Sequence, residues 1–422
     1  MKTIAIIGGG VTGVTTAYAL AKRGFAVTLL ERHRYAAMET SYANGGQLSA
    51  SNAEVWNHRA NIAKALQWML RRDAPLLVHP LPTWHKLSWF AEFIGAMPQY
   101  HDNTIALARM AVAAREHLFQ WAADEGIQFD LHRKGILHLH RDRAEFDHAV
   151  AVSKLLARGG VPRRAVTPEE IRALEPALQG RYYGGHYTES DSSGDIHKFT
   201  TGLAHAAQRL GAQLRFNQEV VQLSRDTKSG AGVSVTVLHN DSAVVTDYDA
   251  VVICAGAASR TLAAHLGDSV NVYPVKGYSV TVHLEDDTSR AAAPQVSLVD
   301  DTVKLVCSRL GEDRLRVAGT AEFHGYNRDI RADRIAPLTT WVQQNFPEVS
   351  TRALTPWAGL RPMMPDLMPR VGPGKAPGVY YNTGHGHLGW TLCAATAEMV
   401  AASIAASRDS VLQRTATPLK MA

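Results

Sequence analysis

The chain of 422 residues is longer than one compact domain usually is, so about two folding units are expected. Hydrophobic residues make up 46% of the chain and charged residues 20%, which excludes disordered, collagen-like and coiled-coil proteins. Lys and Arg total 44 against 39 Asp and Glu. The resulting net charge of +5 is too small for this length to indicate a nucleic-acid-binding protein.

The cysteines Cys254, Cys307 and Cys393 lie far apart and show no CxxC spacing. We therefore expect neither a disulfide framework nor a zinc site, and a reducing compartment fits this cysteine content. The apolar run from Ile4 to Ile7 is too short for a signal peptide, and no run of about eighteen apolar residues follows. These features predict a cytoplasmic protein without a membrane-spanning helix, and they leave peripheral membrane contact open.

The first residues predict a βαβ unit. Ile4 to Ile7 is a continuous apolar run, which is typical of a buried parallel strand. Thr12 to Arg23 is rich in helix formers and ends at Gly24, a residue suited to closing a helix. Ala26 to Leu30 is a second apolar run, and Glu31 follows it directly.

Helical periodicity dominates the next part of the chain. It predicts helices at Ala60 to Arg72, Trp84 to Met97, Thr104 to Glu125 and His197 to Leu210, with a further helix starting at the capping box of Thr167. The segment from Trp84 carries only two charges, so a core helix is favoured there over a membrane-surface helix. Strands are expected at Gly135 to His140, Val220 to Leu223 and Val233 to Leu238.

The C-terminal part alternates again between strands and helices. Asp249 to Gly256 predicts a buried strand, and alternating segments between Val270 and Gly319 predict an antiparallel sheet. Within that stretch the clearest strands are Val280 to Leu284 and Lys304 to Cys307. A helix is expected at Arg331 to Phe346, a strand at Val379 to Asn382 and a last helix at Leu388 to Ala406.

The glycines between the first strand and the first helix form a G-x-G-x-x-G pattern. Gly8 allows the tight turn, Gly10 lets a pyrophosphate approach the backbone, and Gly13 lets the helix pack closely on the strand. The helix N-terminus, with Val11 and Thr12, offers N–H groups to phosphates. Glu31 is placed to accept hydrogen bonds from an adenosine ribose and argues against NADP. The pattern indicates dinucleotide binding and by itself leaves NAD and FAD open.

Four further segments make the chain resemble the D-amino-acid oxidase-like FAD-dependent oxidoreductases, most closely the bacterial D-amino-acid dehydrogenases among them. The segments are residues 39–47 (ETSYANGGQ), 276–279 (KGYS), 359–362 (GLRP) with Pro365-Asp366, and 384–391 (GHGHLGWT). The resemblance implies an α/β fold with a Rossmann-like FAD-binding domain and an interleaved α+β substrate domain on an antiparallel sheet. We place the first domain at 1–80, 190–265 and 350–422, and the second at 81–189 and 266–349.

The resemblance also implies a reaction. A D-amino acid loses a hydride from Cα to flavin N5, and the imino acid is hydrolysed to a 2-oxo acid and ammonia. Electrons are expected to pass to a quinone or dye-type acceptor rather than to oxygen. No side-chain base is evident in the sequence. The alternatives are an enzyme acting on glycine, sarcosine or a cyclic imino acid, or a flavin subunit of a multi-subunit opine- or glycine-oxidising complex. An oligomer and partner subunits stay open.

The residues expected to contact FAD come from all these segments. They are Gly8, Gly10, Val11, Thr12, Gly13, Glu31, Arg32, Thr40, Ser41, Asn44, Gly45, Gly46, Gln47, Val220, Gly256, Gly386, Leu388, Gly389 and Thr391. The stretch from Thr40 to Gln47 offers hydroxyl and N–H groups, and the helix after Gly384 can turn its N-terminus toward the flavin pyrimidine. A plain solvent loop and a simple chain reversal are the respective alternatives. Because no cysteine lies near Gly359, the FAD is expected to be non-covalent.

Three residues are candidates for the substrate site, and no metal site is expected. Arg361 stands in an apolar segment and, in similar enzymes, this arginine clamps the substrate carboxylate; a salt bridge to Asp366 is its structural alternative. Tyr278 is either part of a lid or a buried strand tyrosine. His387 is a weak candidate, standing where relatives often carry Thr. Relatives also commonly have glycine where this chain has Leu367.

Overall fold

The computed structural model describes residues 2–58, 75–225, 232–239 and 242–416. The helix predicted at Ala60 to Arg72 lies outside them. Twenty strands are described: β1 (Thr3–Ile7), β2 (Ala26–Leu30), β3 (Gln47–Leu48), β4 (Leu76–Val78), β5 (Ile136–His140), β6 (Arg164–Val166), β7 (Gly184–Thr188), β8 (Ser192–Ser193), β9 (Gln213–Arg215), β10 (Glu219–Arg225), β11 (Val233–His239), β12 (Ser242–Tyr248), β13 (Ala250–Ile253), β14 (Tyr273–His283), β15 (Ser297–Asp300), β16 (Leu305–Leu310), β17 (Arg314–Phe323), β18 (Leu354–Met363), β19 (Arg370–Pro373) and β20 (Val379–Thr383).

The α-helices of the described residues connect and cover these strands. They are α1 (Val11–Lys22), α2 (Trp84–Gly95), α3 (Tyr100–Asp124), α4 (Arg143–Arg158), α5 (Pro168–Leu174), α6 (Ile196–Arg209), α7 (Ser259–His265), α8 (Asp287–Ala292), α9 (Ala332–Asn345) and α10 (Gly389–Ala416). The capping box predicted at Thr167 is present at the start of α5, where both reciprocal hydrogen bonds with Glu170 form.

A six-stranded sheet in the order β19-β20-β13-β1-β2-β9 carries the predicted βαβ unit. β1 pairs in parallel with both β2 and β13, and only the β19–β20 pairing is antiparallel. Ile4 and Ile6 face a helical layer of α1, α3, α6 and α10, while Ala5 and Ile7 face the meander of β10, β11 and β12. Because both faces are covered, the strand can be apolar throughout, which is the pattern read from the sequence.

A nine-stranded sheet forms the second half of the molecule. Its order is β18-β14-β17-β16-β15-β5-β7-β6, with β4 added beside the end of β17. The pairings are antiparallel except β15 with β5 and β17 with β4. The face turned away from the first sheet packs on α9, where Leu338, Trp341 and Val342 are buried. The α/β class and the antiparallel second sheet agree with the predicted fold.

Two strands depart from the domain limits that we predicted. β18 falls within 350–422, but it is hydrogen-bonded to β14 over ten residue pairs and so belongs to the second sheet. β4 falls within 1–80 and pairs with β17. The sequence shows the strand character of such segments but not their partners, because pairing over long separations depends on the assembled fold.

Helices α4 and α2 each expose part of their side chains at the surface of the molecule. α4 was not predicted; Asp142 caps it by accepting a hydrogen bond from the N–H of Glu145. α2 has two apolar faces, since Trp89 and Phe93 are buried whereas Trp84 is 79% exposed. Residues Gly386–Ser407 are long and apolar enough to cross a membrane, but 67% of the tested stretch is buried inside the protein, as in a core helix.

Candidate active site

A large cavity of about 1220 Å³ lies between the two sheets. Its lining includes every residue predicted to contact the cofactor except Gly13 and Gly46, together with Arg361, Tyr278 and His387. Small-molecule pockets usually measure roughly 300–1,000 Å³, so this cavity has room for a dinucleotide and a substrate.

The glycine turn has the geometry that its sequence predicts. Gly8 has a φ of +107°, and a Cβ there would lie 2.6 Å from the carbonyl oxygen of Cys254. A Cβ on Gly13 would lie 1.8 Å from the carbonyl oxygen of Gly8, so only glycine lets α1 start so close to β1. Gly10 faces the cavity, and its nearest neighbour would be Ser41 Oγ at 3.5 Å. A phosphate can therefore approach the backbone at this point.

The side chain of Glu31 supports this turn as well as lining the cavity. Its Oε2 accepts a hydrogen bond from the Gly9 N–H at 2.5 Å, and its Oε1 accepts one from the His33 N–H at 2.8 Å. Arg32 also lines the cavity, but its guanidinium is paired with Glu39. The guanidinium of Arg32 is thus already neutralised by the protein.

The segment from Thr40 to Gln47 is wedged between the two sheets and is not a solvent loop. Ser41 Oγ accepts a hydrogen bond from the Val11 N–H at 2.9 Å, at the start of α1. Gln47 Nε2 donates to Ser297 Oγ at 2.8 Å, in the second sheet. A Cβ on Gly45 would lie 2.5 Å from Val306 Cγ2, so the backbone passes very close to β16.

The glycines before α10 bring its N-terminus to the same cavity. Gly386 has a φ of +58°, and a Cβ there would lie 2.7 Å from Met363 Sδ. α10 starts at Gly389, and Thr391 Oγ1 accepts a hydrogen bond from the Ser49 N–H at 3.2 Å. The N-terminus of this long helix therefore lies at the cavity wall. The positive end of the helix dipole would stabilise a negative charge there.

Arg361 lines the cavity and uses only part of the hydrogen-bonding capacity of its guanidinium. Its Nη1 donates to the carbonyl oxygen of Thr320 at 2.9 Å, and no carboxylate of the described residues lies within ion-pair distance of it. Burial lowers the pKa of Arg361 to about 10. The carboxylate of Asp366, its predicted alternative partner, instead accepts from the Met368 N–H at 3.1 Å. Within the described part of the chain, Arg361 and Asp366 therefore form no salt bridge with each other.

Gly277 of the KGYS segment explains how Arg361 reaches the cavity. The two residues lie on paired strands, β14 and β18. A Cβ on Gly277 would come within 2.3 Å of the Arg361 Cζ, so the guanidinium lies flat over the glycine backbone. The two segments that we identified separately in the sequence thus form one structural unit.

Tyr278 lies in the buried core, and its position favours the strand interpretation over a lid. Its side chain is 1% exposed, and its hydroxyl donates to Glu322 Oε2 at 2.7 Å. Glu322 also pairs with Lys276 Nζ at 3.3 Å, and both of these charged side chains are buried. A tyrosine held in this way has no freedom to open and close over a substrate.

His387 lies beside Arg361 at the cavity wall. Its Nε2 donates to the carbonyl oxygen of Asn52 at 3.3 Å, which leaves Nδ1 as an acceptor. Burial, helped by the charge of Arg361, lowers the pKa of His387 to about 4 against the effect of the Asn52 hydrogen bond. The imidazole is therefore neutral at physiological pH.

Leu367 has a positive φ of 63°, which is the conformation that glycine favours. A leucine held in this conformation stores backbone strain, of order 1–3 kcal/mol. Its side chain is 6% exposed and packs in the cluster of Trp89, Phe93 and Leu388. Burial of the leucine offsets the strain and closes the turn against the cavity wall.

A polar group in the cavity wall was missed from the sequence. Ser51, His138 and Asp301 are joined by hydrogen bonds, and Arg163 and Lys304 stand nearby. The only local signal is the alternation of His138 and His140 in an otherwise apolar strand, which puts both histidines on one face. No three His, Cys, Asp or Glu side chains among the described residues are arranged to hold a metal ion.

These features fit an FAD molecule: a glycine cradle for pyrophosphate, an acid at the end of β2, and a wall with no side chains at Gly45 and Gly277. Residues 3–403 match the family described as FAD dependent oxidoreductase (DAO). The chain belongs to this family. It is therefore an FAD-dependent oxidoreductase, and the residues that would hold FAD are the cavity-lining ones named above.

Two curated relatives within the family are similar over nearly the full length. D-amino acid dehydrogenase 3 of Mesorhizobium japonicum is 55% identical over 96% of this chain and 97% of its own. D-amino acid dehydrogenase of Paramagnetospirillum magneticum is 40% identical over 95% of this chain and 94% of its own.

Two solved structures share the fold of this chain. Glycine oxidase from Geobacillus kaustophilus superposes with a TM-score of 0.73 at 22% identity, over 96% of this chain and 95% of its own. L-proline dehydrogenase from P. horikoshii has a TM-score of 0.73 at 19% identity, over 96% and 94%. At such identities the likeness speaks for the fold alone.

Proposed function

We propose that this protein is an FAD-dependent D-amino-acid dehydrogenase that converts D-amino acids to 2-oxo acids and ammonia. Two relatives that align over nearly the whole chain carry that name, at 55% and 40% identity. The cavity supports the proposal because it combines a dinucleotide cradle with a cationic group that suits an amino-acid carboxylate.

The observation that carries this proposal is the state of Arg361. The guanidinium is half-buried in the cavity wall and uses one N–H on Thr320, and no carboxylate of the described residues pairs with its remaining donors. Once cofactor and substrate exclude water from the cavity, an unpaired guanidinium is costly, and a substrate carboxylate removes that cost through two parallel hydrogen bonds. The arginine therefore selects for substrates that carry a carboxylate.

The neighbouring residues then orient the bound amino acid. Gly277 lets the guanidinium of Arg361 lie flat on the strand. A carboxylate bound to this guanidinium, and the Cα attached to it, would then have one fixed orientation in the cavity. His387 is neutral and offers a hydrogen-bond acceptor on the same side of the cavity as Arg361. Bound FAD supplies the two-electron oxidant for the Cα–H bond. The protein contributes binding, orientation and exclusion of water.

The test is Arg361→Lys, assayed with D-amino acids, with the matching amines that lack a carboxylate, and with glycine, sarcosine and D-proline. Lysine keeps the charge and loses the bidentate fork, so KM for D-amino acids should rise strongly. The loss in kcat/KM should be about 2–5 kcal/mol. Arg209→Lys, at a surface ion pair with Glu125, is the matched control.

FAD content and melting temperature of Arg361→Lys should stay near those of the unaltered protein, because the side chain faces the cavity. Flavin loss or unfolding with a normal KM would show that Arg361 is architectural. An unaltered enzyme that oxidises sarcosine or glycine faster than any D-amino acid would move the assignment to the alternative substrates within the family.

We also propose a non-covalent cofactor and a quinone or dye-type acceptor. The names of both relatives as dehydrogenases support the acceptor. Acid precipitation should leave the yellow colour in the supernatant, and peroxide formed as fast as dye is reduced would contradict the proposed acceptor. A cytoplasmic location with peripheral membrane contact is a further proposal, which co-sedimentation of the purified protein with anionic vesicles tests.

A further inference from the structure

Ser51, His138 and Asp301 form a continuous hydrogen-bonded chain in the cavity wall. Ser51 Oγ lies 3.0 Å from His138 Nε2, and His138 Nδ1 lies 3.1 Å from Asp301 Oδ2. Ser49 Oγ extends the chain inward, 3.1 Å from Ser51 Oγ. All four residues line the cavity. The order hydroxyl, imidazole, carboxylate allows a proton to move from the hydroxyl to the imidazole.

The chain is held in place by the surrounding backbone. Asp191 accepts hydrogen bonds from the N–H groups of Ala50 and Ser51, at 3.1 and 3.0 Å, and so fixes the turn that carries the serine. His138 sits in β5 in the middle of the second sheet and is 3% exposed. The backbone positions of Ser51 and His138 are therefore fixed by the turn and by the sheet.

The inner end of the chain lies beside the groups that would hold substrate and cofactor. The Ser49 N–H donates to Thr391 Oγ1 at the start of α10. Asn52, which follows Ser51, accepts through its carbonyl from His387, and His387 senses the charge of Arg361. A substrate whose carboxylate is bound to Arg361 therefore has the Ser49–Ser51 turn in the same cavity wall.

The outer end of the chain has access to water. The side chain of Asp301 is 26% exposed, and its neighbour Lys304 is 54% exposed at an ion-pair distance of 3.5 Å. The cavity is lined there by Asp142 and His148 of the α4 region, both of which are exposed. The four residues thus run from the buried interior to a solvated edge.

The charged groups that face His138 fix its tautomer. They are Asp301, Asp191 and Arg163, together with His140 two residues further along β5. His140 Nδ1 lies 3.7 Å from Asp301 Oδ2, and its Nε2 lies 3.1 Å from His186 Nδ1. Burial and then Arg163 lower the pKa of His138 against the pull of the two carboxylates. Burial opposes ionisation of Asp301 too, but Lys304 and His138 outweigh it, so the pKa of Asp301 lies well below its usual range. A neutral imidazole that donates from Nδ1 to a carboxylate leaves Nε2 free to accept.

We propose that Ser51, His138 and Asp301 form a relay that carries the proton lost by the substrate amine from the cavity to solvent. The proposal rests on the proposed amino-acid oxidation. A substrate R–CH(NH3+)–COO⁻ becomes R–C(=NH2+)–COO⁻ by losing one hydride, taken by the bound FAD, and one proton. That proton passes to the serine pair while the Ser51 O–H proton moves to His138 Nε2. As His138 gains this proton at Nε2, it gives its Nδ1 proton to Asp301 Oδ2, and Asp301 releases that proton to water at the Lys304 end. Rotation of the imidazole then restores the Nδ1–H tautomer for the next turnover.

The relay predicts a kinetic signature for His138→Gln. The variant keeps polar contacts but cannot carry a proton, so kcat should fall by about 10²–10⁴-fold, the usual worth of general base catalysis. KM should change little because Arg361 is untouched, and the pH dependence of kcat should move. In His138→Ala, added imidazole should restore turnover in proportion to its free base. His186→Gln, a buried histidine of the adjacent strand that contacts His140 but neither Ser51 nor Asp301, is the matched control and should behave as the unaltered enzyme.

A second measurement does not depend on turnover. In protein labelled with 15N-histidine, the signal that disappears in His138→Gln should show the Nδ1–H tautomer, and Asp301→Asn should shift it. An Nε2–H tautomer would overturn the relay. So would imidazole rescue of His387→Ala in place of His138→Ala, since His387 would then be the proton acceptor. If the unaltered protein oxidises no amino acid while the tautomer is as expected, the proposed function fails and the hydrogen-bonded chain stands as structure only.

Discussion

The contact between Gly277 and Arg361 gives the sharpest test of how the carboxylate site is built. Gly277→Ala places a methyl group 2.3 Å from the guanidinium carbon, where ordinary van der Waals contact begins near 3.4 Å. The guanidinium is the far end of a flexible side chain, so it moves more easily than the paired strands β14 and β18 do. It must move by at least the difference of 1.1 Å.

The size of this displacement of the Arg361 guanidinium sets the expected loss in kcat/KM. Misplacing a group that orients substrate by about 1 Å can lower the rate by about 10²-fold. A factor of 10² corresponds to about 2.7 kcal/mol in the activation free energy. We therefore expect kcat/KM for D-amino acids to fall by about 10²-fold in Gly277→Ala, although no charge or hydrogen-bonding group has been removed.

The assay compares steady-state kinetics with equilibrium binding of a simple carboxylate inhibitor. Both kcat/KM and inhibitor affinity should fall, while FAD content stays unchanged. Gly95→Ala is the matched control, because Gly95 ends α2 and a Cβ there would have no neighbour within 4 Å. The reasoning is wrong if Gly277→Ala binds the inhibitor normally, since the carboxylate would then lie elsewhere.

Three further expectations concern cofactor binding and stability. Glu31→Ala removes the acceptor for the Gly9 N–H, so FAD titration of the apoprotein should show binding weakened by about 1.5–3 kcal/mol; an unchanged Kd contradicts this. Arg328 and His33 hold the pKa of Glu39 near 2 against burial, so this carboxylate stabilises the fold fully above pH 4.5 and loses that effect as pH falls toward 2. The melting-temperature deficit of Glu39→Gln should therefore shrink over the same interval, and a deficit independent of pH refutes it. Lys276→Met leaves Glu322 buried with less compensation and should lower the free energy of unfolding by about 3 kcal/mol in urea titrations; a neutral effect would show that water reaches the pair.

The cofactor-binding part of the site could be predicted from the sequence because the residues that indicate it lie close together in one short segment. Gly8, Gly13 and Glu31 act through turns and strand ends within one βαβ unit, and each lies where the pattern predicts. Arg361 was identified by resemblance, but its dependence on Gly277 follows from the pairing of strands whose residues 277 and 361 are 84 positions apart, which no local pattern records. The polar partners of Arg32 and Tyr278 were likewise not predictable from the sequence. Arg32 lines the cavity and pairs with Glu39, while the hydroxyl of Tyr278 is held by Glu322 in the buried strand position that we gave as the alternative to a lid.

The polar wall could not be predicted for the same reason. Ser51 and His138 are 87 positions apart, and Asp301 follows His138 by 163 positions. Each residue is unremarkable within its own segment, and only the parallel pairing of β15 with β5 brings the carboxylate beside the imidazole. The proximity of these three side chains therefore depends on the assembled sheet.

The position of β1 in the first sheet sets an order for biosynthesis. β1 lies between β2 and β13, and the next neighbour of β13 is β20, near the end of the chain. The glycine turn is thus synthesised well before Val379–Thr383, the strand with which this part of the sheet closes. At about 5–20 residues per second, the intervening 350 or so residues take roughly 20–70 s to make. The nucleotide-binding sheet lacks β20 for that time, so we expect FAD to bind only after this strand has been made.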